Sequence, residues 1–112
     1  LEALLLPYLL SKRNKQFSFR DCNFKVTKDR ESTARVVIAK ENPFTHSFTL
    51  ESSVLGPQGE YEAGYHFNTG HFEKIGHDLC RSIMETYSTP RDSTKRESDL
   101  KELQKEIMKN MN

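Results

Sequence analysis

The chain has 112 residues, with 17 Lys and Arg residues against 16 Asp and Glu residues and a formal net charge of +1. This length allows one small hydrophobic core and excludes two independent domains. Because the positive and negative charges nearly cancel, the sequence excludes a protein that binds nucleic acid or a membrane surface through its overall charge. An acidic partner would have to be held by a local patch of basic side chains.

The first ten residues, LEALLLPYLL, are apolar, and the basic stretch SKRNK follows them. The apolar run is about half the length needed to span a bilayer, and it lacks the basic start and small-residue cleavage site of a signal peptide. The spacing of its leucines predicts a helix, or two short ones, over residues 1–14, bent or restarted at Pro7. Since the chain starts with Leu1 inside this run, we expect it to be a piece of a longer protein.

Two strands are predicted in the middle of the chain. ARVVIA, residues 34–39, is a short β-branched run typical of a buried strand, and NPF marks a turn before HSFTLES, residues 46–52. In this second strand Phe48 and Leu50 alternate with polar residues, so Glu51 belongs to the polar face. On the pattern alone, Glu51 is more typical of a solvated side chain than of a catalytic one.

A long loop and two helices are predicted after Glu51. Residues 56–70 contain four glycines and a proline, which is typical of a surface loop. Thr69 is the predicted N-cap of an amphipathic helix that ends at about Tyr87 and packs on the sheet. Residues 88–97 are a predicted linker, and residues 98–112 a terminal amphipathic helix whose apolar face docks on the domain or on a partner helix.

Single motifs do not identify an activity. The four histidines have spacings that match no zinc-binding pair. GPQG lacks the GKS/T of a phosphate-binding loop, and Ser52 and Ser53 lack the GxSxG turn of a serine hydrolase. The two cysteines, Cys22 and Cys80, are far apart in sequence, which is typical of reduced thiols.

Three longer blocks carry more information when they are taken together. They read FSFRDCNFKVTKDRESTARVVI, HSFTLESS and GPQGEYEAGYHFNTGHFEKIG. In this order and spacing, from about residue 4 to residue 87, they resemble the cytosolic carboxypeptidases, the intracellular branch of the zinc metallocarboxypeptidases. The likeness is greatest to members that shorten glutamate chains on tubulin. It implies an α/β fold in which residues 1–87 are the C-terminal half of a catalytic domain, a mixed sheet flanked by helices.

The resemblance also implies roles for two residues. The Glu in the block matching FTLESS is the general acid/base of the family, and it corresponds to Glu51. Hydrolysis needs such a group because the attacking water loses a proton and the leaving amine gains one. Arg35 corresponds to a basic residue of the substrate pocket, where a guanidinium could bind the carboxylate of a terminal glutamate. The alternative for Arg35 is a surface ion pair with Asp29 or Glu31.

The chain departs from the family pattern at four positions. Ala39 and Lys40 stand where the family commonly has Trp and Arg, and Phe48 and Leu50 replace the usual Tyr and Met. The second pair of changes nearly conserves side-chain volume. The first pair alters packing or charge near the end of the predicted strand, which would make the substrate site shallower.

The zinc ligands of the family, an HxxE pair and a later His, are expected upstream of residue 1. This chain alone is therefore expected to be inactive, as a fragment of a cytoplasmic, zinc-dependent enzyme associated with microtubules or cilia. The expected partners are tubulin or other glutamate-rich protein tails and the remainder of the catalytic domain, with neither nucleic acid nor membrane among them. The alternative function is a non-catalytic interaction or scaffold module, derived from a carboxypeptidase, that binds microtubules or an assembly.

Overall fold

A computed structural model of the chain describes residues 2–42, 46–52, 67–88 and 94–111. The chain divides into two compact units, one formed by residues 1–21 and 53–112 and the other by residues 22–52. The described residues form four α-helices, which are α1 (Leu5–Arg13), α2 (Ala34–Glu41), α3 (Thr69–Ser88) and α4 (Thr94–Met111). Short 3-10 helices occupy Glu2–Leu4 and Lys28–Arg30.

The predicted mixed sheet is wrong for the part of the chain that the structure describes. The ARVVIA run lies in α2, and residues 46–52 form neither a helix nor a strand. The backbone N–H and C=O groups of a strand need a second strand as their hydrogen-bond partner, whereas those of a helix bond to each other within the helix. Ala34 and Arg35 at the start of the run are good helix formers. The amides of Val36 and Val37 both donate to the carbonyl of Thr33, at 3.1 and 3.0 Å, and close the first turn.

Helix α1 supplies most of the core of the first unit. Pro7 lies in its first turn, where backbone amides have no partner within the helix, so the missing N–H costs nothing. The apolar side chains that are at most 6% exposed in this helix are Leu5, Tyr8, Leu9 and Leu10. Leu103 of α4 is also inaccessible to solvent, at 0%. Both α3 and α4 pack against α1.

A reciprocal cap begins α3. The side-chain oxygen of Asn68 accepts a hydrogen bond from the His71 amide at 3.1 Å, and His71 Nδ1 accepts one from the Asn68 amide at 3.0 Å. This is the geometry of a capping box, with an imidazole in the position where Glu or Gln is usual. Asn68 is therefore the N-cap, one residue before the predicted Thr69.

The remaining boundaries differ from the sequence predictions by a few residues. Helix α4 begins at Thr94, inside the predicted linker 88–97 and before the predicted start at Ser98. The predicted glycine-rich loop lies outside the described residues except for its last four, residues 67–70. Among the described helices, none is both long enough and apolar enough to cross a membrane.

Candidate functional site

Glu51 lies near the end of segment 46–52, which has no regular secondary structure, in the unit formed by residues 22–52. Its side chain is exposed, and no hydrogen bond or ion pair from the described part of the chain reaches its carboxylate. Phe48 and Leu50, on the alternate positions, are 36% and 45% exposed. The Glu51 carboxylate is therefore exposed to solvent, and no side chain of this segment belongs to a hydrophobic core.

Arg35 is the second residue of α2 and is half-buried. Its carbonyl accepts a hydrogen bond from Ser47 Oγ at 2.9 Å. Ser47 precedes Glu51 by four residues, and four extended residues span at most about 14 Å. The bond therefore ties the helix that carries Arg35 to the segment that carries Glu51.

An aromatic contact restrains the same segment, residues 46–52. The rings of Phe24 and Phe48 meet edge to face, with centroids 6.0 Å apart and an interplanar angle of 73°. Such pairs contribute stabilisation beyond the area that they bury. Together with the bond from Ser47, this contact holds the segment to two other parts of its unit.

The alternative ion pairs of Arg35 do not form. Within the described residues, neither Asp29 nor Glu31 pairs with its guanidinium. The pKa of Asp29 lies below its ordinary value, mainly because the Thr27 side chain hydrogen-bonds to it. The structure thus brings Arg35 and Glu51 into one unit but shows no direct contact between their side chains.

Zinc has no site among the residues that the structure describes. Protein zinc sites use three or four side chains from His, Cys, Asp and Glu. Nowhere in the described ranges do three such side chains come close enough to hold an ion. The residues present do not fit a catalytic metal, and no chemical step through one follows from them.

A buried polar cluster surrounds Asp78 of α3, which is 4% exposed. Its Oδ2 accepts hydrogen bonds from Asn14 Nδ2 at 2.9 Å and from Lys74 Nζ at 2.8 Å. His77 Nδ1 lies 3.5 Å from the other carboxylate oxygen. Burial raises the pKa of Asp78, but hydrogen bonds from Lys74, Asn14 and His77 outweigh it and bring the pKa below its ordinary value. The charged carboxylate therefore fixes α3 to the end of α1.

Asp78 begins a row of buried polar residues on α3. Ser82 and Thr86 are 0% and 1% exposed. Ser82 Oγ donates to the carbonyl of Asp78 and Thr86 Oγ1 to the carbonyl of Ser82, both at 2.8 Å. Because these hydroxyls are satisfied within their own helix, α1 can cover them without supplying polar partners. The four-residue spacing was the signal available in the sequence, and the prediction missed it.

Ion pairs join the three helices of the first unit. The Glu85 carboxylate pairs with Arg13 of α1 and Lys95 of α4. Burial raises the pKa of Glu85, but hydrogen bonds from Lys95 and Arg13 outweigh this effect and lower it. A second link runs from α1 to α4, where Glu102 Oε2 accepts from Lys12 Nζ at 2.7 Å and from the Tyr8 hydroxyl at 3.2 Å. These carboxylates hold the three helices together.

The chain aligns with proteins of one family. It is 38% identical over 113 residues to cytosolic carboxypeptidase 3 of Bos taurus, an alignment that covers 100% of the chain. It is 41% identical over 80 residues to cytosolic carboxypeptidase 4 of Mus musculus, and 32% identical over 106 residues to cytosolic carboxypeptidase 1 of Danio rerio, covering 70% and 92% of the chain. The chain corresponds to a segment of a cytosolic carboxypeptidase.

This cytosolic carboxypeptidase segment spans only 11%, 7% and 9% of the length of those three relatives. The alignments confirm the resemblance that the three sequence blocks indicated. No protein-family model and no solved structure matches the chain. The relatives are carboxypeptidases by name, so the chain is related to peptide-hydrolysing enzymes through a small part of their length.

Proposed function

We propose that this chain is part of the catalytic domain of a zinc-dependent metallocarboxypeptidase that removes glutamates from glutamate-rich protein tails, such as those of tubulin. The observation that carries the proposal is the alignment of the whole chain with a cytosolic carboxypeptidase. Because the chain covers about a tenth of that relative, the activity belongs to a longer protein. The zinc ligands would be supplied by other parts of it.

Glu51 is the proposed general acid/base. Its exposed carboxylate is not engaged by other described side chains, so it can take a proton from an attacking water and return one to the leaving amine. Such a group must be held in place to act. The hydrogen bond from Ser47 and the ring contact of Phe48 restrain the segment that carries it.

Arg35 is the proposed ligand of the substrate's carboxylate. A guanidinium offers two parallel N–H donors, which match the two oxygens of a carboxylate. The backbone of Arg35 is fixed twice, by its place in α2 and by the bond from Ser47. The substitution Arg35→Lys would keep the positive charge but lose the pair of parallel N–H donors. It therefore shows how much of the binding depends on charge alone and how much on the two-point contact.

The second candidate is a non-catalytic interaction module that binds microtubules or an assembly. The observation that favours it is the exposure of apolar side chains on α3, where Met84 is 60% and Tyr87 56% exposed. Apolar residues grouped on a surface often mark protein interaction sites. In this case the longer protein would bind polyglutamylated tails or microtubules without releasing glutamate.

The test uses the longer protein that contains this chain, with release of glutamate from a polyglutamylated peptide as the readout. Glu51→Gln should lower kcat by about 10²- to 10⁴-fold with little change in KM, because proton transfer is lost and binding is kept. Glu41→Gln, which changes another exposed carboxylate of the same unit, is the matched control and should leave kcat unchanged.

Arg35 is tested in the same assay. Arg35→Ala should raise KM more than Arg35→Lys does, because lysine keeps the charge. Equal turnover in the Glu51→Gln variant and the unaltered protein would remove Glu51 from the mechanism. Binding of the peptide without any glutamate release by the unaltered protein would favour the interaction module.

A further inference from the structure

The hydroxyl of Ser47 connects the backbones that carry the two residues of the proposed site. Ser47 Oγ donates a hydrogen bond of 2.9 Å to the carbonyl of Arg35, which lies 12 positions earlier in the chain. Glu51 follows Ser47 by four residues in the same segment, 46–52. Because the acceptor is a backbone atom, the bond does not use the donors of the Arg35 guanidinium, which it leaves for a carboxylate.

The two ends of this bond are not equally well anchored. Arg35 belongs to the first turn of α2, where two backbone amides donate to the carbonyl of Thr33. Thr33 is held in turn, because its amide and its hydroxyl donate to the carbonyl of Arg30 at 3.1 and 2.8 Å. Segment 46–52 has no such regular structure. Arg35 is therefore held without Ser47, whereas the segment depends on its side-chain contacts.

The hydrogen bond restrains segment 46–52 more narrowly than the ring contact does. Aromatic pairs such as Phe24 and Phe48 are favourable over centroid distances of about 4.5–7 Å. An O–H···O hydrogen bond is favourable over only about 2.5–3.0 Å and requires a near-linear angle. The Ser47 hydroxyl is partly buried, so water competes less for its acceptor. It is thus the contact that sets where the segment lies.

The place of an acid/base decides how well it transfers protons. The carboxylate must lie about 2.6–3.2 Å from the reacting water, and a misplacement of about 1 Å can lower a rate about 100-fold. Removal of a terminal residue adds a second requirement, because the substrate's carboxylate and the bond to be cut are one residue apart. A bond from the segment of Glu51 to the backbone of Arg35 maintains the spacing between the groups that meet these two parts of the substrate.

We propose that Ser47 is a positioning residue, whose hydrogen bond to the Arg35 carbonyl holds Glu51 where it transfers protons. This role rests on the proposed function and deepens it, because it adds a residue that touches neither the substrate nor the reacting atoms. Ser47 acts on turnover through Glu51 and leaves the binding of the substrate's carboxylate to Arg35.

The test uses the longer protein and its release of glutamate from a polyglutamylated peptide. Ser47→Ala should lower kcat about tenfold, the value of one hydrogen bond, and change KM less than about twofold, because Arg35 is anchored independently. Ser47→Thr keeps the hydroxyl and should keep kcat within about threefold. Thr49→Ala is the matched control, because the Thr49 hydroxyl is exposed and forms no hydrogen bond within the described residues. It should leave kcat unchanged.

The Glu51→Gln background separates positioning from a loss of folded protein. There, Ser47→Ala should lower the residual kcat less than about twofold, since the group that Ser47 positions is already lost. A smaller folded fraction would instead lower kcat by the same factor in both backgrounds. Thermal unfolding followed by circular dichroism checks the folded fraction of each variant.

Three results would overturn the positioning role alone, in a protein whose kcat Glu51→Gln does lower. They are an unchanged kcat in Ser47→Ala, a Ser47→Thr variant as slow as Ser47→Ala, and an equal effect of Ser47→Ala in both backgrounds. A longer protein that releases no glutamate, or whose kcat Glu51→Gln leaves unchanged, would overturn the proposed function and the positioning role with it.

Discussion

In α1 the innermost side chains are Leu5, Tyr8, Leu9 and Leu10, at most 6% exposed, whereas in α3 they are Asp78, Ser82 and Thr86. The apolar residues of α3 lie mostly on the outside. Both helices belong to the same unit and pack on each other. The difference shows that a polar row can form a helix contact when its polar atoms are satisfied locally or by a specific partner. Amphipathic pattern alone does not decide which side is buried.

Truncating one apolar side chain in each helix should give the largest contrast. Leu10→Ala in α1 removes a side chain that is 2% exposed and should lower the free energy of unfolding by about 2–5 kcal/mol. Ile83→Ala in α3 removes one that is 40% exposed and should cost less than about 1 kcal/mol. Urea unfolding at low micromolar concentration measures both. Equal losses would show that Ile83 is as well packed within the chain as Leu10.

Removing Asp78 tests whether the polar row stabilises the contact. Asp78→Ala leaves the Asn14 amide buried without its partner and should cost about 1.5–3 kcal/mol of unfolding free energy. Ser82→Ala is the matched control on the same row, because the hydrogen bond that the Ser82 hydroxyl donates stays within α3, and it should cost less than about 1 kcal/mol. If the two substitutions cost the same, the charge of Asp78 adds nothing to the contact.

The stabilising effect of Asp78 should also depend on pH. The pKa of Asp78 is lower in the folded chain than its ordinary value, so the charged carboxylate stabilises the folded state. This stabilisation is fully present above the unfolded-state pKa of about 3.9 and is lost as the pH falls through the lower folded-state pKa. Stability of the unaltered chain should therefore fall more steeply than that of Asp78→Ala as the pH drops below about 4. If the stabilities of the unaltered chain and of Asp78→Ala fall equally with pH, the pKa of Asp78 is not lowered in the folded chain.

The ion pairs that join the helices should give the smallest effect. Glu85→Gln weakens the pairs to Arg13 and Lys95 and should cost about 1 kcal/mol or less, because these groups are partly solvated. The difference should shrink in about 0.5 M salt, which screens exposed charges. Glu97→Gln changes an exposed carboxylate of α4 that pairs with no described side chain, and it should be neutral. A loss at Glu85 that persists in salt would indicate a packing role.

Element type was predictable from sequence where the pattern was long. The apolar spacing of residues 72–87 and 100–111 predicted the helices α3 and α4, and the structure has both. The six-residue ARVVIA run was ambiguous, because a short β-branched segment suits a strand only if another strand pairs with it. The N-cap was misplaced by one residue because Asn68 and Thr69 can both cap a helix.

The candidate site was less predictable than the helices. An exposed Glu such as Glu51 is common, so its proposed role came from the family blocks and not from its own spacing. Arg35 was placed on a strand and lies on α2, although its link to Ser47 keeps it in the unit of Glu51. The Asp78 cluster escaped prediction because its partner Asn14 is 64 residues away in sequence, and nothing local marks that pairing.

The cap at the start of α3 depends on two side chains that lie three residues apart. His71 accepts the Asn68 amide through Nδ1, and Asn68 accepts the His71 amide through its side-chain oxygen. A side chain without an acceptor at either position would leave one of these amides without its partner. The place where α3 begins is therefore set by a pair of residues and not by one of them alone.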